Sequence, residues 1–154
     1  MIDQPQIIQT TARHTALIHL TIPKAEIRHV MGPTLKELMG AVAAQGIALA
    51  GPWLTHHRRM VPDIFDFEVS VPVATPITAV GRVQPGEWPA IKVARTVYHG
   101  GYERLSDGWI ELMAWIAAEG HTPAPDLWEV YLVGPESSPD PASWCTELSR
   151  PLID

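Results

Sequence analysis

Two twelve-residue segments of the chain align with each other without a gap, and this internal repeat constrains the fold more than any other feature. Residues 35–46 (LKELMGAVAAQG) and 109–120 (WIELMAWIAAEG) are identical at six of twelve positions. Each has the apolar spacing of an amphipathic helix that ends at a glycine. Strands are predicted before and after both helices, so the chain is predicted to contain two copies of a strand-helix-strand-strand unit.

The remaining elements are predicted from alternating apolar residues and from turn residues. We predict strands at residues 15–22, 53–57, 65–73, 78–83, 91–99, 126–133 and 146–152. The first helix is expected to begin at Pro33, after a separate helical turn at residues 24–31, because proline favours the first helical position. The second helix is predicted at residues 102–119, with a loop at residues 58–63 and a turn at residues 84–87.

The repeat predicts an α+β fold in one domain, residues 1–154. Its two pseudo-symmetric strand-helix-strand-strand repeats, about residues 12–75 and 78–154, are expected to form a curved antiparallel sheet. Ligands commonly bind in concave seams between such units, so a ligand cleft is expected at the repeat junction.

Composition excludes several classes of protein. With 46% hydrophobic and 18% charged residues the chain is expected to fold. A net charge of −6 disfavours binding to nucleic-acid backbones and favours neutral or cationic partners. Cys145 is the single cysteine, which fits a reducing cytoplasm. No signal peptide and no apolar run long enough for a membrane span is present, so we expect a cytoplasmic protein that does not bind membranes.

Glu129 is the residue that does not fit its strand. In Leu-Trp-Glu-Val-Tyr-Leu-Val (residues 127–133) both faces are mostly apolar, which is typical of a central strand. A carboxylate removed from water costs several kcal/mol unless it is compensated. Glu129 therefore has either a permanent partner (Arg95, Arg104 or a histidine) or a ligand. The repeat aligns it with Thr55 or His56, so the carboxylate departs from the repeat.

Aromatic side chains provide the expected walls of a site around Glu129. The chain has six tryptophans, whose flat faces suit stacking and cation–π contact. The rings expected to face the seam, if they do not simply pack in the core, are Trp53, Phe67, Tyr102, Trp109 and Tyr131. His56 and His57 are adjacent, so only one of them can point into the seam from a strand.

The sequence does not indicate a metal site or a reactive thiolate. The seven histidines lack the spacing of metal ligands, so no metal and no cofactor is expected. Cys145 lacks the surroundings of an activated thiolate.

Four segments carry a resemblance to a known family. YHGGYERL (98–105), WIAAEG (115–120), WEVYL (128–132) and TELSRPL (146–152) follow in an order and spacing similar to the GyrI-like superfamily. The resemblance implies a two-unit pseudo-symmetric fold that binds apolar, often aromatic and cationic, small molecules in its seam. It also implies that Glu129 matches a pocket glutamate of several members. Where the family has Gly-Pro-Tyr before the second helix, this chain has Gly100-Gly101-Tyr102, which makes the helix entry less rigid.

The sequence is compatible with three functions. The first is binding of hydrophobic, cationic or polycyclic small molecules, in drug sensing or detoxification. The second, known among GyrI-like proteins, is hydrolysis of the cyclopropane of DNA-alkylating natural products. Glu129 would then be the general base, Tyr131 the orienting group or proton donor, and His56 a second participant. The third is regulation through a protein contact, such as with DNA gyrase. The chain begins with its first strand, so direct DNA binding is not expected, and both a monomer and a homodimer fit the sequence.

Overall fold

The computed structural model describes residues 1–135 and 137–153, with Met60 described by its backbone alone. Within these residues there are two α-helices and eight β-strands, and their contacts divide the chain into two compact units. The N-unit comprises residues 11–90, and the C-unit comprises residues 1–10 together with residues 91 onward. The fold is α+β, as the sequence predicts.

The C-unit holds four antiparallel strands and one helix. Its elements are β1 (Gln6–Gln9), β6 (Lys92–His99), α2 (Leu105–Ala118), β7 (Leu127–Val133) and β8 (Cys145–Pro151), with the strands in the order β1-β6-β8-β7. Helix α2 packs on one face of these strands, because Leu112 and Ile116 form its apolar stripe. They pack with Ala94, Tyr98 and Leu148 in a core where Leu148 has no exposed surface.

The N-unit repeats this plan. Its elements are β2 (Arg13–Pro23), α1 (Ile27–Ala44), β3 (Leu54–Val61), β4 (Ile64–Pro72) and β5 (Gln84–Trp88), with the strands in the order β3-β4-β2-β5. Leu38 and Val42 of α1 pack with Ile18, Phe67 and Val69, all of which are buried. In both units the strand before the helix (β2 or β6) pairs with the second strand after the helix (β4 or β8), and this strand also pairs with the first strand after the helix (β3 or β7). The predicted repeat of strand, helix, strand and strand is thus confirmed.

In each unit the outermost strand comes from the segment that precedes the repeat of the other unit in sequence. Strand β1 precedes β2 in sequence but pairs with β6, where Ile7 lies opposite Ala94. Strand β5 precedes β6 but pairs with β2, where Gly86 lies opposite Thr15. The N-terminal strand β1 is absent from the sequence prediction. The boundaries proposed for the two repeats stay a prediction.

The predicted start of the first helix is wrong. Helix α1 already begins at Ile27, and Pro33 lies inside it. Proline removes a backbone N–H and disfavours a helix interior by about 3 kcal/mol. The residues before Pro33 offset this cost, since Ile27, Val30 and Met31 pack against the N-unit core.

The segment between the repeats also differs from the prediction. Residues 78–83 form no strand, because Val80 and Val83 hydrogen-bond to each other around Gly81, whose φ of 57° is left-handed. The predicted turn at residues 84–87 belongs instead to β5. Pro85 is tolerated there because β5 is the outermost strand of the N-unit. The predicted loop at residues 58–63 is mostly strand, since β3 continues to Val61. None of the helices described here is long and apolar enough to cross a lipid bilayer.

Candidate functional site

Glu129 lies in the middle of β7 on the face that α2 covers. It is opposite Leu148, whose side chain packs under the helix, and cross-strand partners share a face. Only 8% of Glu129 is exposed. The indole N–H of Trp109, on α2, donates a hydrogen bond of 2.6 Å to Oε2, and the hydroxyl of Tyr131 donates one of 2.7 Å to Oε1. Both carboxylate oxygens are thereby held in place.

Neither donor to Glu129 carries a charge. Within the part of the chain that is described, the carboxylate takes part in no ion pair, and the two arginines proposed as its partners have other partners. Arg95 lies 3.4 Å from Glu147 and donates to Ser149, while Arg104 lies 3.8 Å from Asp107. The negative charge of Glu129 is therefore hydrogen-bonded but not neutralised.

A series of contacting aromatic rings extends from Glu129 within the C-unit. The ring of Tyr131 meets that of Tyr102 edge to face, with 5.9 Å between centroids. Tyr102 in turn lies against Trp144, with centroids 5.0 Å apart and planes inclined by 38°. Glu129 thus lies at one end of an aromatic surface made by the contacting rings of Tyr131, Tyr102 and Trp144, and Trp109 is hydrogen-bonded to its other oxygen.

The structure divides the residues predicted for the site between the two units. Glu129, Tyr131, Tyr102 and Trp109 meet in the C-unit. The other three, Trp53, His56 and Phe67, belong to the N-unit.

In the N-unit these three residues have other surroundings. Phe67 has no exposed surface and stacks on His57 at 5.2 Å between centroids. Nδ1 of His56 lies 3.1 Å from Glu68, so the two neighbouring histidines have separate partners. Trp53 is partly buried against the N-unit core. The ligand cleft expected at the repeat junction stays a prediction.

Trp144 is the aromatic residue of this surface that the sequence prediction missed. It lies in the segment between β7 and β8, directly before Cys145. The surrounding proline and serine residues indicate only a loop. Its contact with Tyr102 joins positions 42 residues apart (102 to 144), which no local pattern reveals.

Tyr98, the remaining tyrosine of the C-unit, packs in the core between β6 and α2. Its hydroxyl donates to the carbonyl of Gly101 at 3.3 Å, and its ring lies under Gly108 of α2. Burial, followed by the charges of Asp107 and Glu103, raises the pKa of Tyr98, so it stays neutral at physiological pH. It supports the helix that carries Trp109.

No metal centre accompanies this site in the residues described, where no group of three or more His, Cys, Asp or Glu side chains is arranged to hold an ion. The groups that meet at this site are one carboxylate, two neutral hydrogen-bond donors and aromatic rings.

The class of protein is an α+β small-molecule-binding domain. The GyrI-like small molecule binding domain matches residues 3–153, and the chain belongs to this GyrI-like family. Comparison with curated protein sequences finds no match.

Several solved structures share the fold. The C-terminal domain of EcmrR superposes with a TM-score of 0.86 at 21% identity, covering 98% of both chains. EcmrR in its complex with DNA superposes with a TM-score of 0.85 at 22% identity. The superposition covers 98% of this chain but only 57% of the longer EcmrR chain.

Two further structures have ligands or activities in their names. SAV2435 bound to tetraphenylphosphonium has a TM-score of 0.66 and 13% identity, with 98% of this chain and 94% of that one covered. A hydrolase from Listeria innocua has a TM-score of 0.71 and 12% identity, with 97% and 92% covered. At these identities the likeness establishes the fold alone.

Proposed function

We propose that this GyrI-like domain binds hydrophobic organic cations, with the Glu129 carboxylate as the charge that attracts them. One observation carries the proposal: a carboxylate that is only 8% exposed receives two neutral hydrogen bonds and no cation among the described residues. In surroundings of low polarity an uncompensated anion attracts an opposite charge more strongly than it does in water. A cation that brings its own apolar surface can occupy such a place without a matching protein group.

The aromatic surface suits the same ligands. The rings of Trp109, Tyr131 and Tyr102 present negative π faces, and a cation over such a face gains about 0.5–2 kcal/mol. Burial of flat apolar groups adds roughly 25 cal/mol per Å². Binding of tetraphenylphosphonium by SAV2435, which shares the fold, supports this ligand class. Drug sensing or detoxification would follow from such binding.

Calorimetric titration with tetraphenylphosphonium tests the proposal. Glu129→Gln keeps the size of the side chain and removes its charge. The Trp109 indole can still donate to the amide oxygen, and the Tyr131 hydroxyl can rotate to accept from the amide N–H. We expect affinity to fall about 10-fold or more, the loss of roughly 1.4 kcal/mol or more of charge interaction.

A matched control removes one negative charge from the outer surface of the same helix. Glu111 of α2 is exposed, so Glu111→Gln changes the net charge equally but leaves the site intact. Its affinity should match that of the wild type. Equal affinities for all three proteins would refute the role of Glu129.

A second candidate, hydrolysis of cyclopropane-bearing electrophiles, is favoured by the Glu129–Tyr131 pair. Each oxygen of the carboxylate keeps a lone pair beyond its present hydrogen bond, so Glu129 would accept a proton from a water whose oxygen bonds to a ring carbon. The ring C–C bond that breaks would leave its electron pair on the conjugated electron-withdrawing group of the electrophile, which then takes up a proton. The Tyr131 hydroxyl 2.7 Å away would orient the carboxylate. Mass spectrometry of an alkylator mixed with the protein distinguishes the two functions. Addition of water that requires Glu129 would make the protein a hydrolase, whereas binding without a mass change leaves a binding domain.

A further inference from the structure

We infer that Trp144 forms a second, preorganised wall of the site and that it selects cations bearing aromatic rings over equally charged alkyl cations. The inference rests on the proposed function and names a residue that determines its specificity. It begins from the series of contacts in the C-unit that runs from the Glu129 carboxylate through Tyr131 and Tyr102 to Trp144.

Trp144 is fixed on three sides by hydrogen bonds. Its indole N–H donates to the carbonyl of Ser138 at 2.9 Å, and its backbone N–H donates to Pro141 at 3.1 Å. Its carbonyl accepts from the N–H of Gly100 at 3.0 Å, which ties it to the segment preceding α2. A ring held in this way loses little conformational freedom when a ligand binds.

The segment that carries Trp144 has its own supports. The Asp140 side chain accepts from the N–H of Ala142 at 3.1 Å and begins a short 3-10 helix (Pro141–Ser143). Trp144 follows this helix directly and remains half-buried. The residue therefore keeps some accessible surface, which a fully buried core residue would not.

Orientation of the rings indicates which ligands benefit. The planes of Tyr131 and Tyr102 meet edge to face at 77°, while those of Tyr102 and Trp144 are inclined by only 38°. Aromatic pairs prefer edge-to-face or offset-stacked arrangements, and a ligand ring that joins them gains contact beyond its buried area. An alkyl group of similar size gains burial alone. Glu129 thus provides the attraction for charge, and Trp144 provides the preference for rings.

Two phosphonium ions that differ only in this respect form the probe. Tetraphenylphosphonium and tetrabutylphosphonium carry the same charge on the same central atom. Their dissociation constants are measured by calorimetry for the wild type, Trp144→Leu and Trp144→Phe, with Trp115→Leu as the control. Trp115 is also a partly buried tryptophan of the C-unit, packed against its core through α2.

Trp144→Leu should weaken tetraphenylphosphonium binding by about 3- to 10-fold and change tetrabutylphosphonium binding by less than about twofold. Trp144→Phe, which keeps a ring but loses the indole N–H, should retain most of the preference for the aryl ion. Trp115→Leu should leave the ratio of the two affinities unchanged.

Equal losses for both ions in Trp144→Leu would mean that the residue only supports the fold, and no loss for either would mean that no ligand touches it. Either result overturns the inference. If Trp144→Phe bound tetraphenylphosphonium as weakly as Trp144→Leu, the inference would also be overturned, because the hydrogen bond to Ser138 and not the ring would then determine the affinity.

If Glu129→Gln lowers affinity while Trp144→Leu does not, only this inference fails. If the wild type binds neither ion, both the proposed function and this inference fail.

Discussion

The indole N–H of Trp109 donates to Oε2 of Glu129 over 2.6 Å, and this contact joins helix α2 to strand β7. The carboxylate is thereby shared between two elements of the same unit, since Tyr131 holds the other oxygen from β7 itself. A buried carboxylate that depends on two neutral donors is sensitive to the loss of either.

Trp109→Phe and Tyr131→Phe should each lower the free energy of unfolding by about 1–2 kcal/mol, because each deletes one hydrogen bond to a buried charge. The double variant should lose more than the sum of the single losses, since the carboxylate would then have neither donor. Urea unfolding of the four proteins completes this cycle. Strict additivity would show that the two donors do not share the charge.

Gly108→Ala should destabilise the protein by about 1–3 kcal/mol through overpacking. A Cβ atom at Gly108 would lie 2.7 Å from Cδ1 of Tyr98, whose ring is only 3% exposed and cannot move away. Gly40, on the exposed side of α1, is the matched control. A Cβ atom there meets nothing within 4 Å, so Gly40→Ala should stabilise by about 0.5–1 kcal/mol. Thermal unfolding measures both, and a harmless Gly108→Ala would contradict the close packing of α2 on β6.

Acid stability should depend on Asp66 in the N-unit. The hydrogen bond from His19 first, and that from Arg59 after it, hold the pKa of Asp66 below its ordinary value against the opposing effect of burial. A carboxyl group whose pKa is lower in the folded state stabilises the fold above its unfolded pKa. This contribution is lost as the pH falls through the folded pKa. Asp66→Asn should therefore cost stability at pH 7, and the cost should begin to shrink once the pH falls below the ordinary Asp pKa of about 3.9, so that it is smaller at pH 3.

Urea unfolding at the two pH values tests this dependence. Glu37→Gln is a suitable control, because Arg82 also lowers the pKa of Glu37 but the pair is exposed to solvent. The control should show a smaller difference between the two pH values. The same loss at pH 7 and pH 3 for Asp66→Asn would contradict the assignment.

Periodicity in the sequence was sufficient for the repeat, the helices and most strands, because these features are local. It also marked Glu129 as a departure from the repeat, and the pairings agree with its alignment to Thr55. Glu129 lies opposite Leu148 and Thr55 lies opposite Val69, and both of these strand residues pack in the core of their unit. A carboxylate in one copy and a hydroxyl in the other is thus a difference at an equivalent position.

The errors arose where tertiary contacts override local preference. Pro33 indicates a helix start, but the apolar residues before it gain more from packing on the N-unit core than the helix loses. Pro85 and Gly86 indicate a turn, yet they lie in β5, where a side chain at Gly86 would collide with Leu17 of β2. Trp144 could not be assigned to the site because its contact with Tyr102 depends on the path of the loop.

The most direct test of the account is the position of a bound lipophilic cation. Tetraphenylarsonium has the shape and charge of the phosphonium ion, and its arsenic atom can be located by anomalous scattering in a crystal of the complex. We predict an arsenic peak beside the Glu129 carboxylate and within about 6 Å of the Tyr131 or Tyr102 ring centroid, the range of a cation–π contact. An arsenic peak elsewhere, with nothing bound at Glu129, would contradict the account.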